Sequence, residues 1–189
     1  MAREEDRICK EYFDQPDRFS DLVNYTLYQG REVTKPSDFK ELDPVRSEVF
    51  GPDNSYEILI DNLKELSLKE DDRNIYAMIG LESQGYNDET MVVRAMKSKA
   101  LLYSYQLREK VKPLKPVIII VFNLTGDKWK SPVTLKSMFE KEYLDKFGYL
   151  TVVDFLRQQL FKVIKVDKLA IGLNNLAMKG IGLIKKIIY

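Results

Sequence analysis

Two apolar runs separated by one uninterrupted helical stretch constrain this chain more than any other feature. Arg73 to Glu82 reads as a strand that is apolar on both faces, and Pro116-Val117-Ile118-Ile119-Ile120-Val121-Phe122 is a continuous run rich in β-branched residues. Strands of this kind belong inside a sheet covered on both sides, because a half-exposed strand would alternate apolar with polar residues. Between them, Asp88 to about Lys110 carries Met91, Ala95, Leu102 and Tyr105 as one stripe, with neither Pro nor Gly before Pro113. That spacing predicts a long helix. Upstream, Phe19, Leu22, Val23 and Leu27 recur at helical spacing within Asp17 to Tyr28, after Pro16 and before Gly30, which predicts a first helix. Residues 36–54 hold Pro36, Pro44, Gly51 and Pro52 and read as irregular, with a short turn of helix over Asp38 to Leu42. Tyr56 to Leu66 fits either a strand or a helix. As a strand it places Glu57, Leu59, Asp61 and Leu63 on one face. Thr125 to Trp129 reads as a turn and Thr134 to Tyr143 as a short helix. Helix, strand, strand, long helix, strand is the order of an α/β sandwich.

Length and charge bound the rest. The chain has 189 residues, 44% hydrophobic and 31% charged, which suits one soluble domain with an appendage. We expect a domain over residues 1–150 and a basic, apolar tail over 151–189. The net charge of +1 conceals an asymmetry, since Arg157, Lys162, Lys165, Lys168, Lys179, Lys185 and Lys186 in the tail face the single acid Asp167. Val152 to Ile188 is mostly aliphatic with spaced lysines and predicts one or two amphipathic helices. Such a segment serves as an electrostatic arm for nucleic acid, as a solvated helix, or as a surface for homo-oligomerisation or membrane contact. The N-terminal residues are charged throughout, and the longest apolar run, Val117 to Phe122, is too short to span a bilayer. With a lone cysteine, Cys9, a cytoplasmic protein without a membrane anchor is the expectation.

The chain has no histidine. Zinc sites built from Cys and His clusters are thereby excluded, as are Ser-His-Asp and Cys-His catalysis, which need an imidazole as base. Chemistry must be carried by carboxylates, amides, lysines, tyrosines or a metal. Glu82-Ser83-Gln84 ends the first apolar strand and sends a carboxylate and an amide to one side of the sheet. A second carboxylate from a neighbouring strand would let the pair hold a divalent cation. Asp61 is the candidate. Asp71 and Asp72 compete with it, although they sit just before the strand and look like its turn.

Several ordered motifs resemble one family. Asp17-Arg18-Phe19 with Leu22-Val23-Asn24 and Leu27-Tyr28-Gln29-Gly30 is similar to its first helix, and Ile75 to Gly80 with Leu81-Glu82-Ser83-Gln84 to its central strand and Glu-x-Gln signature. Val93-Arg94 and Tyr103-Ser104-Tyr105-Gln106 resemble the following helix, and Pro116 to Phe122 with Gly126-Asp127-Lys128-Trp129 the strand and aromatic turn after it. Over about Pro16 to Trp129 the chain thus resembles the Rpn recombination-promoting nuclease/putative transposase family, a branch of the PD-(D/E)XK nuclease superfamily. The resemblance implies a restriction-endonuclease-like α/β sandwich, with a central mixed β-sheet flanked by helices. It also implies metal-dependent hydrolysis of DNA phosphodiesters, associated with a mobile element. On that reading Asp61, Glu82 and Gln84 are catalytic. Asp61 and Glu82 hold Mg²⁺ or Mn²⁺, with the Ser83 carbonyl and Asp17 completing the shell. Gln84 orients water or phosphate, and Arg94 and Gln106 line the DNA cleft. Asp61 precedes Glu82 by more residues than the family's aspartate does, which requires a small insertion near Leu68 to Asp72. The alternative is a catalytically inactive nuclease fold that binds DNA or protein.

Overall fold

The computed structural model describes residues 2–43, 45–49, 55–70, 72–147 and 162–165. A helix that the sequence pattern did not announce comes first: α1, Ala2–Asp14, buries Cys9, Tyr12 and Phe13 on one face. The expected helix follows as α2, Pro16–Tyr28, with proline in its first turn, where a missing N–H costs nothing. It stops where Gln29 and Gly30 turn left-handed, at φ of 59° and 84°.

The region expected to be irregular contains strands. A single 3-10 turn at Pro36–Asp38 leads into β1, Phe39–Glu41, where a turn of helix was expected. Val45–Val49 (β2) and Ser55–Leu59 (β3) then form an antiparallel hairpin. The stretch that fitted either strand or helix is strand, broken by a bend at Ile60 and Asp61 before β4, Asn62–Glu70. A tight turn through Asp72 pairs Glu70 with Arg73 and starts β5, Arg73–Gln84. Asp71 lies outside the described residues. The long helix is α3, Met91–Arg108, followed by β6, Val117–Asn123. The expected helix over Thr134 to Tyr143 is instead a 3-10 turn, Leu135–Met138, followed by α4, Lys141–Phe147.

Beyond residue 150 the described part is β7, Lys162–Lys165. Helix was expected there. The Lys-Val-Ile-Lys pattern carries two β-branched residues and pairs in parallel with β6, so sheet pairing outweighs the helical spacing. The rest of the predicted tail lies outside the described residues.

These strands form a mixed sheet in the order β1-β4-β5-β6-β7. The β1, β4 and β5 pairings are antiparallel, and those of β5, β6 and β7 are parallel. On one face, Phe13, Phe19 and Leu22 of α1 and α2 pack with Ile79, Leu81 and Phe122. On the other, Met91, Ala95 and Leu102 of α3 pack with Met78, Ile119 and Val121. The fold is therefore the α/β sandwich with a central mixed sheet that the resemblance implied. Among the described residues no helix is long and apolar enough to cross a membrane.

One glycine sets the approach of the strands below the site. A Cβ on Gly80 would lie 2.9 Å from Ile119 Cδ1 and 3.1 Å from Ile60 Cγ2, so its absence lets Ile60 close over β5. Asp61 follows directly in the bend.

Candidate active site

Hairpin register brings the two predicted carboxylates together. Asn62 pairs with Leu81, so the next positions outward on the two strands are Asp61 and Glu82. The backbone N–H of Ser83 donates to Asp61 Oδ2 at 2.7 Å, which ties the bend to the end of β5. Leu68 to Glu70, in the stretch where the resemblance calls for an insertion, pair with Ile75 to Arg73 near the tip of this hairpin.

Glu82 faces α3, is 3% exposed, and has both oxygens engaged. Arg94 Nη2 donates to Oε2 at 3.0 Å and Ser98 Oγ to Oε1 at 3.3 Å. Burial pushes its carboxyl up to about 7, with the nearby charges of Asp61 and Asp88 adding to the rise and Arg94 and Ser98 opposing it. Asp61 is raised as well, chiefly by burial, against the Ser83 hydrogen bond and the charges of Lys10 and Arg94. Gln84 is buried at the end of β5, two residues on from Glu82 and therefore on the same face. The Ser83 side chain turns to the other face, next to the Cys9 thiol, which burial, Asp6 and Asp61 push up to about 12.

Arg94 is shared. Its Nη1 donates to Asp88 Oδ2 at 2.8 Å, while Asp88 Oδ1 accepts from the backbone and hydroxyl of Thr90 at 2.8 and 2.6 Å. Burial works to raise the Asp88 carboxyl, but the hydrogen bonds from Thr90 and Arg94 outweigh it and hold it below the usual range. The neighbouring Asn87 accepts from the Lys130 backbone at 2.9 Å, so the turn carrying Trp129 is fastened to the same loop. Trp129 packs against the core on the α3 side, as an anchor.

Two predicted residues are placed elsewhere. Asp17 is exposed in the first turn of α2, where its charge adds to that on Asp21, and it is not among the charges that act on Asp61 or Glu82. Gln106 is buried and both ends of its amide are used: Nε2 donates to the Lys115 carbonyl at 3.0 Å and Oε1 accepts from the Lys115 N–H at 2.7 Å. It fastens the exit of α3 to the entry of β6.

Sequence reasoning passed over Asp88, Ser98 and the residues of α1. Asp88-Glu89-Thr90 before the long helix was the available signal, an Asp-x-Thr turn of the kind that caps helices. In α1, Asp6 and Lys10 both act on Asp61 or are acted on by it, and Asp6 Oδ1 is buried with no hydrogen-bond partner among the described residues. A cavity of about 280 Å³ opens beside Asp61, walled by Lys10, Asp14, Glu41, Asn62 and Lys64. Lys64 is itself buried, donating to the Asp14 carbonyl at 2.7 Å and to Glu41 at 3.0 Å.

This donor set fits a hard divalent cation. Among the described residues no three acidic or cysteine side chains converge closely enough to hold a metal by themselves. Mg²⁺, however, keeps several waters and is commonly held by one or two carboxylates with substrate phosphate. Two desolvated, mutually repelling carboxyls and the unpartnered Asp6 oxygen are the environment that such a cation relieves.

Neither the curated proteins nor the solved structures contain a match to this chain. A family profile does match, described as "Putative transposase, YhgA-like" and covering residues 3–179, so it spans α1 and extends past β7. The chain accordingly belongs to the YhgA-like putative transposase family.

Proposed function

We propose that this member of the family is a metal-dependent DNA endonuclease that hydrolyses phosphodiester bonds at the Asp61–Glu82 end of the sheet. The observation that carries this reading is the hairpin register. It sets an aspartate opposite a buried glutamate, and burial raises the pKa of both carboxyls. Perturbed carboxyls paired at the open end of a sheet mark a site held ready for a charged ligand. Asp61 and Glu82 would hold Mg²⁺ or Mn²⁺, which when bound makes water a stronger nucleophile and offsets charge on the phosphate. Arg94, next to Glu82 and 42% exposed, supplies the cationic wall facing the DNA. Gln84 carries no charge and orients water or a phosphate oxygen by hydrogen bonding. Ser98 holds Glu82 in one rotamer, and the close packing of Ile60, Gly80 and Ile119 keeps the floor of the site rigid.

A second reading has its own support. Arg94 and Ser98 occupy both oxygens of Glu82, as they would in a nuclease fold kept only for binding DNA or protein. One experiment separates the two. Supercoiled plasmid is incubated with the full chain and Mg²⁺ or Mn²⁺, and nicking is followed on gels for the wild type, Glu82→Ala and Asp61→Ala. We expect nicking that needs the metal and falls about a thousandfold in either variant, since such a cation contributes several kcal/mol to the transition state. Activity that survives both changes would remove this site. DNA binding that weakens with salt but never leads to cleavage would select the binding module.

A further inference from the structure

Arg94 has two acidic partners, and one of them is the residue that a divalent cation would use. Nη1 donates to Asp88 at 2.8 Å and Nη2 to Glu82 at 3.0 Å, with the side chain 42% exposed between buried carboxylate and solvent. The two partners are held differently. Glu82 projects from the end of β5 and is steadied by a Ser98 contact at 3.3 Å. Asp88 is fixed by its own loop: Oδ1 accepts both the N–H and the hydroxyl of Thr90, which leaves Oδ2 to Arg94 whatever Glu82 does.

We propose that Asp88 is a positioning residue that retains Arg94 at the cleft when Glu82 exchanges the guanidinium for a divalent cation, presenting the freed Nη2 edge to a DNA phosphate. The proposal rests on the nuclease reading above. A cation held by Glu82 would repel the guanidinium and leave Nη2 without its acceptor. A long side chain with nothing else to hold it would then regain its rotamer freedom and leave. The planar fork of arginine allows one nitrogen to stay on Asp88 while the other turns to a new anion. Lysine, a single ammonium, lacks that division. Cation and DNA should therefore bind cooperatively, each tightening the other by the same factor.

The test measures binding by the full chain to a short DNA duplex, by fluorescence anisotropy, with and without Ca²⁺. Calorimetry reports Ca²⁺ affinity in parallel. In the wild type we expect Ca²⁺ to tighten DNA binding about tenfold, within the usual range of coupling between sites. Asp88→Asn retains an acceptor for Thr90 and should keep Ca²⁺ affinity within about twofold while losing most of the tightening, because its amide NH₂, a donor, then faces the Arg94 Nη1 donor and the charge-assisted bond is lost. Arg94→Lys, which leaves the Thr90 turn intact, should lose the same tightening and carries the test if Asp88→Asn does not fold. The double variant should be no worse than either single change, as expected of residues acting as one unit. Full tightening in Asp88→Asn with unaltered Ca²⁺ affinity would overturn the proposal, as would a wild type that binds Ca²⁺ without gaining DNA affinity. A wild type that binds no divalent cation would overturn the nuclease reading together with it.

Discussion

Two buried polar clusters can be set side by side. In the first, Asn24 of α2 clamps the segment after the helix: Nδ2 donates to the Thr34 carbonyl at 2.8 Å, and Oδ1 accepts from the N–H groups of Val33 and Thr34 at 3.0 and 2.8 Å. Ser20 adds a bond to the same carbonyl at 2.9 Å. In the second, Glu82, Arg94, Asp88 and Ser98 are joined at comparable distances. The difference is charge. The Asn24 cluster is neutral and satisfied, so it fixes the chain and nothing in it titrates. Around Glu82 a desolvated carboxyl is kept close to neutral pH, so part of the cluster's free energy is released only when protons, guanidinium or another cation arrive. One cluster stabilises the fold; the other tensions it.

Mutation should separate these roles. The largest stability effect is expected for Asn24→Ala, which strands the N–H groups of Val33 and Thr34, leaves the Thr34 carbonyl with Ser20 as its remaining donor, and should cost about 4 kcal/mol in urea denaturation. Nicking per folded molecule should stay within about twofold of wild type, as the amide is remote from the chemistry. An undiminished midpoint would erase the contrast between the clusters. Next comes pH. The Glu82 carboxyl is at about 7 in the folded protein against an ordinary 4.5, so the folded state keeps a proton that the unfolded chain has already lost. Its contribution favours folding below about pH 4.5 and fades as pH rises to about 7, a swing on the order of 3 kcal/mol. Stability of the wild type relative to Glu82→Gln should therefore fall across that window and level off above it. A constant difference between the two proteins would show that Glu82 has no such strain. The smallest effect is expected for Gly80→Ala, whose methyl would press on Ile119 and Ile60 and cost about 1–2 kcal/mol. Because Ile60 precedes Asp61, nicking should drop further than stability does, and adding Ile119→Val should restore part of both.

The elements that could be read directly were those whose pattern is local. β5, α3 and β6 follow from apolar runs and a stripe at helical spacing, and α2 from its proline and glycine ends. β1 was misread because three residues at a sheet edge owe their conformation to β4 and not to their own propensity. α1 was not legible although Ile8, Cys9, Tyr12 and Phe13 fall on one helical face, since that face is short and lies among charged residues without a capping or proline signal. Within the site, Glu82 was visible as a carboxylate ending an apolar strand. Its pairing with Asp61 was only a candidate, because register is decided across the sheet. Gln106 shows the converse: a buried polar residue on a long helix looked available to a ligand, but its partner is backbone at Lys115, which no side-chain motif reveals.

The β4–β5 hairpin also governs how the separation of the two carboxylates can vary among related chains. Its tip turns tightly between Glu70 and Arg73, and its base places Asp61 opposite Glu82. Lengthening each arm by one residue leaves the base aligned, whereas a single added residue forces a bulge or turns one carboxylate to the wrong face. The count between aspartate and glutamate should therefore drift in steps of two, so a search that fixes this interval would discard true relatives, while one that fixes only its parity would keep them.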